Sequence, residues 1–190
     1  MSSERIRSFV AVDLDDPQIR ERIVNAQKDL AQTGAELKLV EPEIMHFTLR
    51  FLGEIPQETV QAVKEILSSL SFHPFEISFS GLGTFPSPTR INVVWVGMNQ
   101  GQEQLKGIFQ QLEPKLREIG LPPDNKGFSP HLTIARVKSG RNRGALSEAV
   151  AKMRGLQFGS MPARYVRLKK STLTPKGPIY TTIHELQASP

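Results

Sequence analysis

Two short segments of the sequence carry the same pattern, His-apolar-Thr-apolar. The string HFTL begins at His46 in the first half of the chain, and HLTI begins at His131 in the second half. Each lies in a run typical of a β-strand, where residues i and i+2 point to the same face. We therefore expect His46 to share a face with Thr48, and His131 to share a face with Thr133, while the apolar residues between them enter a core.

Two imidazoles and two hydroxyls that converge on one cleft suit the cleavage of a phosphodiester. This reaction needs a base that activates the nucleophile and an acid that protonates the leaving oxygen. Histidine titrates near neutral pH, so two histidines can hold opposite protonation states. Threonine hydroxyls can hydrogen-bond the phosphate oxygens and hold the phosphorus in line. This set of residues requires no metal ion and no other cofactor.

Other uses of these residues are less well supported by the sequence. A zinc site wants three or four closely spaced ligands, and no such spacing is present among the four histidines. Ser129 lacks the glycine pattern of a nucleophile elbow, and the glycines at 81 and 83 lack the third glycine and the helix of a dinucleotide loop. His73 and His184 have no threonine at the same spacing, so we expect neither to be functional.

Composition and charge favour a soluble protein with an anionic partner. The chain has 190 residues, a net charge of +5 and no cysteine, which suggests a single catalytic domain over residues 1–190 without disulfides. No apolar run is long enough for a membrane span, and no signal peptide is evident, so we expect a cytoplasmic protein. Between residues 138 and 176 there are ten Lys or Arg and a single acid, Glu148. This is the pattern expected for a polyanion partner such as RNA, although an ordinary solvated surface has the same composition and stays open as the alternative.

Periodicity predicts strands and helices in mixed order. Strands are predicted over 9–14, 37–40, 45–52, 75–80, 91–96, 131–137, 164–173 and 179–186. Helices are predicted from Pro17, from Pro56, over 102–119 with a kink or early end at Pro114, and over 144–154. Residues 81–89 are predicted to form a turn. Several strands follow one another without a helix, which favours an α+β fold with antiparallel sheets, and the repeated pattern suggests two related halves.

The residues around both patterns resemble a known family. FVAVDL near the start, HFTLRFLGE in the first half and FSPHLTIARVK in the second are similar to the RNA 2′,3′-cyclic phosphodiesterases, also called 2′-5′ RNA ligases, of the two-histidine phosphoesterase superfamily. The resemblance implies a bilobal α+β fold with two pseudo-symmetric lobes and a central cleft. It also implies hydrolysis of RNA 2′,3′-cyclic phosphates to 2′-phosphomonoesters without a metal, and joining of tRNA halves through a 2′-5′ bond without ATP.

The resemblance also implies roles for individual residues. His46 resembles the general acid that protonates the leaving 3′ oxygen, and His131 resembles the general base that activates water. The near symmetry of the two patterns leaves the reverse assignment open. Thr48 and Thr133 would hold the phosphate, and Arg136 matches a basic position that contacts it.

Strand alternation qualifies several of these expectations. Arg136 lies five residues after His131, so it reaches the same face only if a bulge precedes it. Arg50, four residues after His46, shares the face of His46 in a regular strand and is a candidate RNA contact. Tyr180 could cover the cleft from the last strand. Phe9 and Phe47 could stack on bases but are expected in the core. The basic residues Arg141, Arg143, Lys169 and Lys170 could attract the RNA backbone.

Two other functions remain open at this point. The chain could be a module that binds RNA ends with little turnover, in which case RNA affinity would survive loss of either histidine. It could also catalyse mainly the reverse reaction, in which RNA strands are joined. We expect hydrolysis to dominate, because water at ~55 M competes with a dilute RNA hydroxyl. Nothing in the sequence requires more than a monomer.

Overall fold

The computed structural model describes residues 4–125 and 127–190. In this part of the chain there are nine strands and four α-helices. They are β1 (Arg5–Asp13), α1 (Pro17–Ala31), β2 (Leu37–Leu39), β3 (His46–Pro56), α2 (Gln57–Ser68), β4 (Phe75–Pro86), β5 (Ile91–Gln100), α3 (Gln102–Glu118), β6 (Leu132–Val137), α4 (Arg143–Lys152), β7 (Gln157–Ala163), β8 (Tyr165–Thr174) and β9 (Gly177–Gln187). One turn of 3-10 helix, Pro42–Ile44, precedes β3.

All described strand pairs are antiparallel and form one sheet. The strand order is β7-β4-β5-β6-β3-β1-β8-β9, and β2 pairs with β6. The two halves of the sheet meet where β3 and β6 pair at Phe47 and Leu132, the residues that follow His46 and His131. The antiparallel α+β fold that the sequence predicts is therefore confirmed, and the join between its halves lies at the two His-x-Thr patterns.

Helices cover the apolar face of the sheet, which is the face opposite to the two histidines. Asp16 caps α1 by accepting a hydrogen bond from the Ile19 amide at 2.9 Å. The helix then buries one stripe that ends in Leu30, and α3 buries a similar stripe that includes Leu112. These side chains and those of the strands, Phe47 and Leu132 among them, form one hydrophobic core. Because Phe47 and Leu132 enter this core, the histidines that precede them point to the other face of the sheet.

Each of the two central strands contains an extra, bulged residue directly after its threonine. In β3, Thr48 pairs with Ala11 and Arg50 pairs with Val10, so Leu49 is bulged. In β6, Thr133 pairs with Trp95 and Ala135 pairs with Val94, so Ile134 is bulged. A bulge reverses the alternation of the side chains that directly follow it. In both strands the residue five positions after the histidine therefore returns to the histidine's face.

The structure differs from the predicted elements in three details. Residues 81–86 do not form the predicted turn but belong to β4, which continues to Pro86. Gly81 is a bulged residue of this strand, and its φ of +69° is a conformation that favours glycine. The helix α3 does not end at Pro114 but continues to Glu118. Pro114 lies on the exposed side of the helix, so its ring does not disturb the packing of the buried side. The strand β7 was not expected. Within the described residues, no helix is long and apolar enough to cross a membrane.

Candidate active site

His46 is the first residue of β3 and is held by the turn before it. Its Nδ1 donates a hydrogen bond to the carbonyl of Ile44 at 2.8 Å. A carbonyl oxygen can only accept, so Nδ1 carries a hydrogen and Nε2 is the atom that exchanges a proton. The 3-10 turn thus fixes both the orientation and the tautomer of His46.

His131 is held in the same way by the residues that precede β6. Its Nδ1 donates to the carbonyl of Ser129, also at 2.8 Å. The charge of His131 is close enough to His46 to lower the pKa of His46. Because Phe47 and Leu132, the residues next to the two histidines, pair directly across β3 and β6, the two rings lie near one another. In each ring Nε2 is the nitrogen that is left free by the hydrogen bond to the backbone.

Four further side chains lie on the same face of the sheet as these rings, the two threonines by regular alternation and Phe51 and Arg136 because of the bulges. The side chains of paired residues lie on the same face of a sheet. Thr48 pairs with Ala11 and Phe51 pairs with Phe9, and because Ala11 and Phe9 are two residues apart in β1, Thr48 and Phe51 share a face. In the second half Thr133 pairs with Trp95 and Arg136 pairs with Val93. Trp95 and Val93 are two residues apart in β5, so Thr133 and Arg136 also share a face. The bulge that the interpretation of Arg136 required is present, at Ile134. Contact of Arg136 with phosphate stays a prediction.

The expectation that Arg50 shares the face of His46 is wrong. The bulge at Leu49 turns Arg50 to the core side, where its Nε donates to Glu113 at 2.7 Å. Its two Nη atoms donate to the carbonyls of Phe51 and Pro122. Only about 7% of the Arg50 side chain is exposed. Arg50 therefore connects β3 to α3 and to the loop that leads to His131.

Phe51 takes the place at the cleft that the sequence suggested for Arg50. Phe51 is 59% exposed, and its ring centre lies 6.0 Å from that of Phe9. Regular alternation could not identify it. Alignment of the two patterns could have done so, because Phe51 and Arg136 each lie five residues after the histidine of their own half.

Aromatic rings surround both histidines. The ring of His46 lies 4.8 Å from Phe9 and 5.3 Å from Tyr180, which meets it edge-on. Phe9 is buried but forms the floor beside His46, whereas Phe47 lies in the core against Phe79. Tyr180 does reach the cleft from β9, and its contact with RNA stays a prediction.

The aromatic neighbours of His131 come from β4 and β5. Phe85 meets the His131 ring edge-on at 4.8 Å, and the ring centre of Trp95 lies 6.3 Å away. Neither residue is predicted from the sequence. Both reach His131 only because the hairpin of β4 and β5 pairs with β6, a contact between distant parts of the chain.

A carboxylate lies on the strand next to His46. Asp13 pairs with His46 across β1 and β3, and its Oδ2 accepts from Lys169 at 2.7 Å and from Arg167 at 2.9 Å. Arg167 also donates to Glu185 at 2.7 Å. Lys169 is thus held by Asp13 with only 12% of its side chain exposed, which corrects its assignment to a basic surface open to RNA.

Burial and neighbouring charges set the protonation of two residues at this end of the cleft. Burial lowers the pKa of His46, and the charges of Lys169 and His131 lower it further, against the carbonyl of Ile44 and Asp13, which raise it. Burial raises the pKa of Tyr180, against the charges of Arg136 and Arg7. In the free protein His46 therefore favours its neutral form, and Tyr180 keeps its hydroxyl proton.

The remaining two histidines lie elsewhere. His184 contacts Ser68 through its Nε2 at 2.9 Å, and Nδ1 of His73 donates to the carbonyl of Pro190 at 3.2 Å. Among the described residues, no group of three or more His, Asp or Glu side chains is arranged to hold a metal ion. The geometry therefore offers an acid–base pair, two hydroxyls and one exposed arginine at a cleft lined with aromatic rings.

Comparison with known proteins gives matches over nearly the whole chain. The family model described as LigT like phosphoesterase matches twice, over residues 12–95 and 96–180, so each match contains one His-x-Thr pattern. A protein of Archaeoglobus fulgidus named RNA 2′,3′-cyclic phosphodiesterase is 43% identical over 175 residues, which cover 92% of this chain and 96% of the relative. A protein of the same name from Aeropyrum pernix is 40% identical over 168 residues, covering 88% and 96%.

Solved structures share the fold. The crystal structure of E. coli LigT complexed with 3′-AMP superposes with a TM-score of 0.81 at 24% identity and covers 98% of this chain and all of that one. The crystal structure of a Thermus thermophilus protein, TT0787, gives a TM-score of 0.79 at 29% identity and covers 96% and 97%. The similarity therefore extends to both halves of the sheet.

Proposed function

The chain belongs to the LigT-like phosphoesterase family, and from this premise we propose that it hydrolyses RNA that ends in a 2′,3′-cyclic phosphate. The product would be a 2′-phosphomonoester with a free 3′ hydroxyl. The observation that carries the proposal is the matched pair of imidazoles. Both donate Nδ1–H to a carbonyl two residues earlier, and both keep Nε2 for proton transfer beside a threonine.

In the proposed mechanism the phosphorus lies between the two rings. Nε2 of His131 takes a proton from water, and the water oxygen bonds to phosphorus. The bond from phosphorus to O3′ breaks, and Nε2–H of His46 donates its proton to O3′. The hydroxyls of Thr48 and Thr133 donate to the non-bridging oxygens, where negative charge increases in the transition state. Arg136 adds a positive charge on the same face.

The lowered pKa of His46 is compatible with its role as an acid once substrate is bound. In the free protein the neutral imidazole is favoured, because burial and the charges of Lys169 and His131 disfavour a second cation. A bound phosphodiester brings a negative charge next to the ring and raises its pKa. We therefore expect His46 to take up its proton together with the substrate.

The exposed ring of Phe51 is the proposed platform for the terminal base. Stacking of a base on an aromatic side chain does not depend strongly on sequence, so the site would accept RNA ends of varied sequence. We propose that the whole chain acts as one bilobal catalytic domain, since each half supplies one histidine. A monomeric state, a cytoplasmic location and tRNA fragments as substrates stay predictions of the sequence.

The same site would join strands if an RNA 5′ hydroxyl replaced water as the nucleophile. Attack on the same phosphorus with loss of O3′ gives a 2′-5′ phosphodiester and needs no ATP. We expect this to be a minor reaction in dilute RNA, because water is present at ~55 M.

The product terminus tests the proposal. An oligonucleotide with a 2′,3′-cyclic phosphate is incubated in EDTA with wild type, His46→Ala, His131→Ala and the surface control His184→Ala. We expect a 2′-phosphate from wild type and the control, and a loss of about 10²–10⁴-fold in each active-site variant. Turnover that needs a metal would overturn metal independence. RNA binding by wild type without turnover would favour the binding module instead.

A second substrate assigns the acid and the base. A nucleoside phosphodiester with a p-nitrophenyl leaving group needs little protonation of that group. If His46 is the acid, His46→Ala recovers most of its activity on this ester, whereas His131→Ala stays inactive. The opposite pattern would reverse the assignment.

A further inference from the structure

The proposed mechanism gives the RNA strand a direction across the cleft. Water attacks from the side of His131, and the leaving O3′ lies toward His46. In a ribose the carbon that carries O3′ is bonded to the carbon that carries C5′, so O5′ lies on the His46 side as well. The phosphate that joins the terminal nucleotide to the preceding one therefore belongs beyond His46, where β1, β8 and β9 line the cleft.

Arg7 lies on the cleft face of β1 at this end. It precedes Phe9 by two residues, and the ring centre of Phe9 lies 4.8 Å from that of His46. The two extra residues where β1 pairs with β3, Leu49 and Leu52, both belong to β3, so the alternation along β1 is unbroken. Arg7 therefore shares the face of Phe9.

Tyr180 extends from β9 to the same place. Its ring centre lies 5.0 Å from that of Phe9 and 5.3 Å from that of His46. Burial raises the pKa of Tyr180, whereas the charges of Arg136 and Arg7 lower it. The charge of Arg7 thus reaches the Tyr180 hydroxyl, which keeps its proton and can donate a hydrogen bond.

Arg7 is exposed and, within the described residues, forms no ion pair. Glu54 pairs with it across β1 and β3, yet the two side chains are not joined. Neighbouring cations have partners in the protein, since Lys169 donates to Asp13 at 2.7 Å and Arg5 donates to the carbonyl of Glu54 at 2.6 Å. Arg7 therefore keeps its guanidinium for a ligand, and a guanidinium binds phosphate through two parallel hydrogen bonds.

We propose that Arg7 and the Tyr180 hydroxyl bind the phosphate on O5′ of the terminal nucleotide, which is the linkage to the rest of the RNA strand. The inference rests on the proposed function, because the position of the phosphorus between the histidines defines where the strand continues. The terminal base at Phe51 lies on the same side of the cleft. This second phosphate site makes the protein selective for RNA ends over free cyclic mononucleotides.

The kinetic test compares a nucleoside 2′,3′-cyclic phosphate with the same compound carrying a 5′ phosphate. We expect kcat/KM to be about tenfold higher with the 5′ phosphate. This ratio should fall to near one in Arg7→Gln, stay partly in Arg7→Lys, and fall about two- to threefold in Tyr180→Phe, which removes only the hydroxyl. The activity of each variant on the unphosphorylated compound is the reference for folding.

The matched control is Arg154→Gln, which removes an exposed arginine beyond His131, in the groove that contains Trp95. The ratio should persist in this variant. Equal rates for both compounds in wild type, a ratio that survives Arg7→Gln, or a ratio that is lost in Arg154→Gln instead would overturn the inference and leave the proposed function intact.

A dinucleotide separates the linking phosphate from the preceding base. A dinucleotide that ends in a 2′,3′-cyclic phosphate should be preferred over the mononucleotide, and an uncharged methylphosphonate linkage should abolish this preference. The methylphosphonate compound should also be insensitive to Arg7→Gln. If it kept the full preference, the protein would bind the preceding base rather than the phosphate, and the inference would be wrong.

A binding test does not depend on turnover. In calorimetric titrations, a nucleoside 2′,5′-bisphosphate should bind wild type about tenfold more tightly than the 2′-monophosphate, and Arg7→Gln should bind both equally. Equal affinities in wild type would contradict the assignment of Arg7. Because these ligands are not hydrolysed, this result stands even if no phosphodiesterase activity is found.

Discussion

The two His-x-Thr strands have the same backbone and different surroundings. In both, Nδ1 of the histidine donates to a carbonyl two residues earlier, and one bulged residue follows the threonine. His46, however, lies beside Asp13 and Tyr180, whereas His131 lies between Phe85 and Trp95. The repeat therefore fixes where the reactive atoms lie, and the neighbouring strands make the two histidines chemically different.

The positions after each bulge show the same division. Four residues after the histidine, Arg50 forms a buried ion pair in the first half, and its counterpart in the second half is Ala135. Five residues after the histidine, Phe51 is exposed in the first half, and its counterpart is Arg136. One half thus offers an aromatic surface and the other a charge, which is how a pseudo-symmetric site can bind an asymmetric substrate.

The largest effect is expected where the halves differ most in the core, at Arg50. In the wild type Arg50 holds the pKa of Glu113 low, although burial alone would raise it. Loss of Arg50 would therefore leave the Glu113 carboxylate buried without its main cation. We expect Arg50→Met to lower the free energy of unfolding by about 3–5 kcal/mol. Urea denaturation at neutral pH measures this.

The matched control for Arg50 is Arg136→Met, which removes an exposed arginine from the other half and should change stability little. The double variant Arg50→Met with Glu113→Leu removes both charges and should recover much of the loss. A fully stable Arg50→Met protein would contradict the view that this ion pair ties β3 to the loop before His131.

The two threonines test the symmetry itself. A hydrogen bond from a hydroxyl to a charged phosphate oxygen contributes about 1.5–3 kcal/mol, so Thr48→Val and Thr133→Val should each lower kcat/KM by about 10–150-fold. Serine at either position should restore most of the rate. Thr172→Val, on the exposed part of β8, should have no effect. Losses that differ by much more than tenfold between the halves would show that only one hydroxyl binds the phosphate.

The sequence predicted the parts of the site that depend on local alternation. His46 with Thr48, and His131 with Thr133, follow from the period of two in a strand, and the order of helices and strands follows from apolar periodicity. Arg50 could not be placed correctly, because a single bulged residue at Leu49 reverses the alternation and leaves no mark in composition. For Arg136 the need for a bulge was evident from the odd spacing, although its position was not.

The neighbours of each histidine lay beyond prediction for a different reason. Asp13, Phe85, Trp95 and Lys169 reach the histidines through pairing with strands far away in the chain. Local patterns do not define which strands pair or in what register. The element that was missed, β7, is likewise an edge strand that is defined only by its pairing with β4.

The residues five positions after the histidines should separate charge from stacking. Arg136→Met should lower kcat/KM about tenfold for all RNA ends and weaken its dependence on salt, because a phosphate contact is lost. Phe51→Leu should lower it about 5–10-fold, more for purine than for pyrimidine ends, with the salt dependence unchanged. Steady-state kinetics at several salt concentrations distinguish the two. If both variants showed the same dependence of kcat/KM on salt, the proposed roles of Arg136 in phosphate binding and of Phe51 in base stacking would be wrong.

The smallest expected effect concerns the protonation of His46. Because burial lowers its pKa below the value in the unfolded chain, the unfolded state binds more protons as the pH falls through about 6.5. The stability of the wild type should therefore decrease as the pH falls from 8 to 5.5. In His46→Asn this part of the decrease should be absent, and urea denaturation at each pH measures the difference between the two proteins.

A bound nucleotide should oppose this effect if His46 is the acid. A phosphate group beside the ring stabilises the imidazolium, so the folded state would take up the proton as readily as the unfolded chain does. At saturating nucleoside 2′-phosphate, the wild type and His46→Asn should then lose stability in parallel as the pH falls. If the difference between them persists with nucleotide bound, the phosphate does not compensate the burial of His46, and the role of general acid passes to His131, beside Phe85 and Trp95.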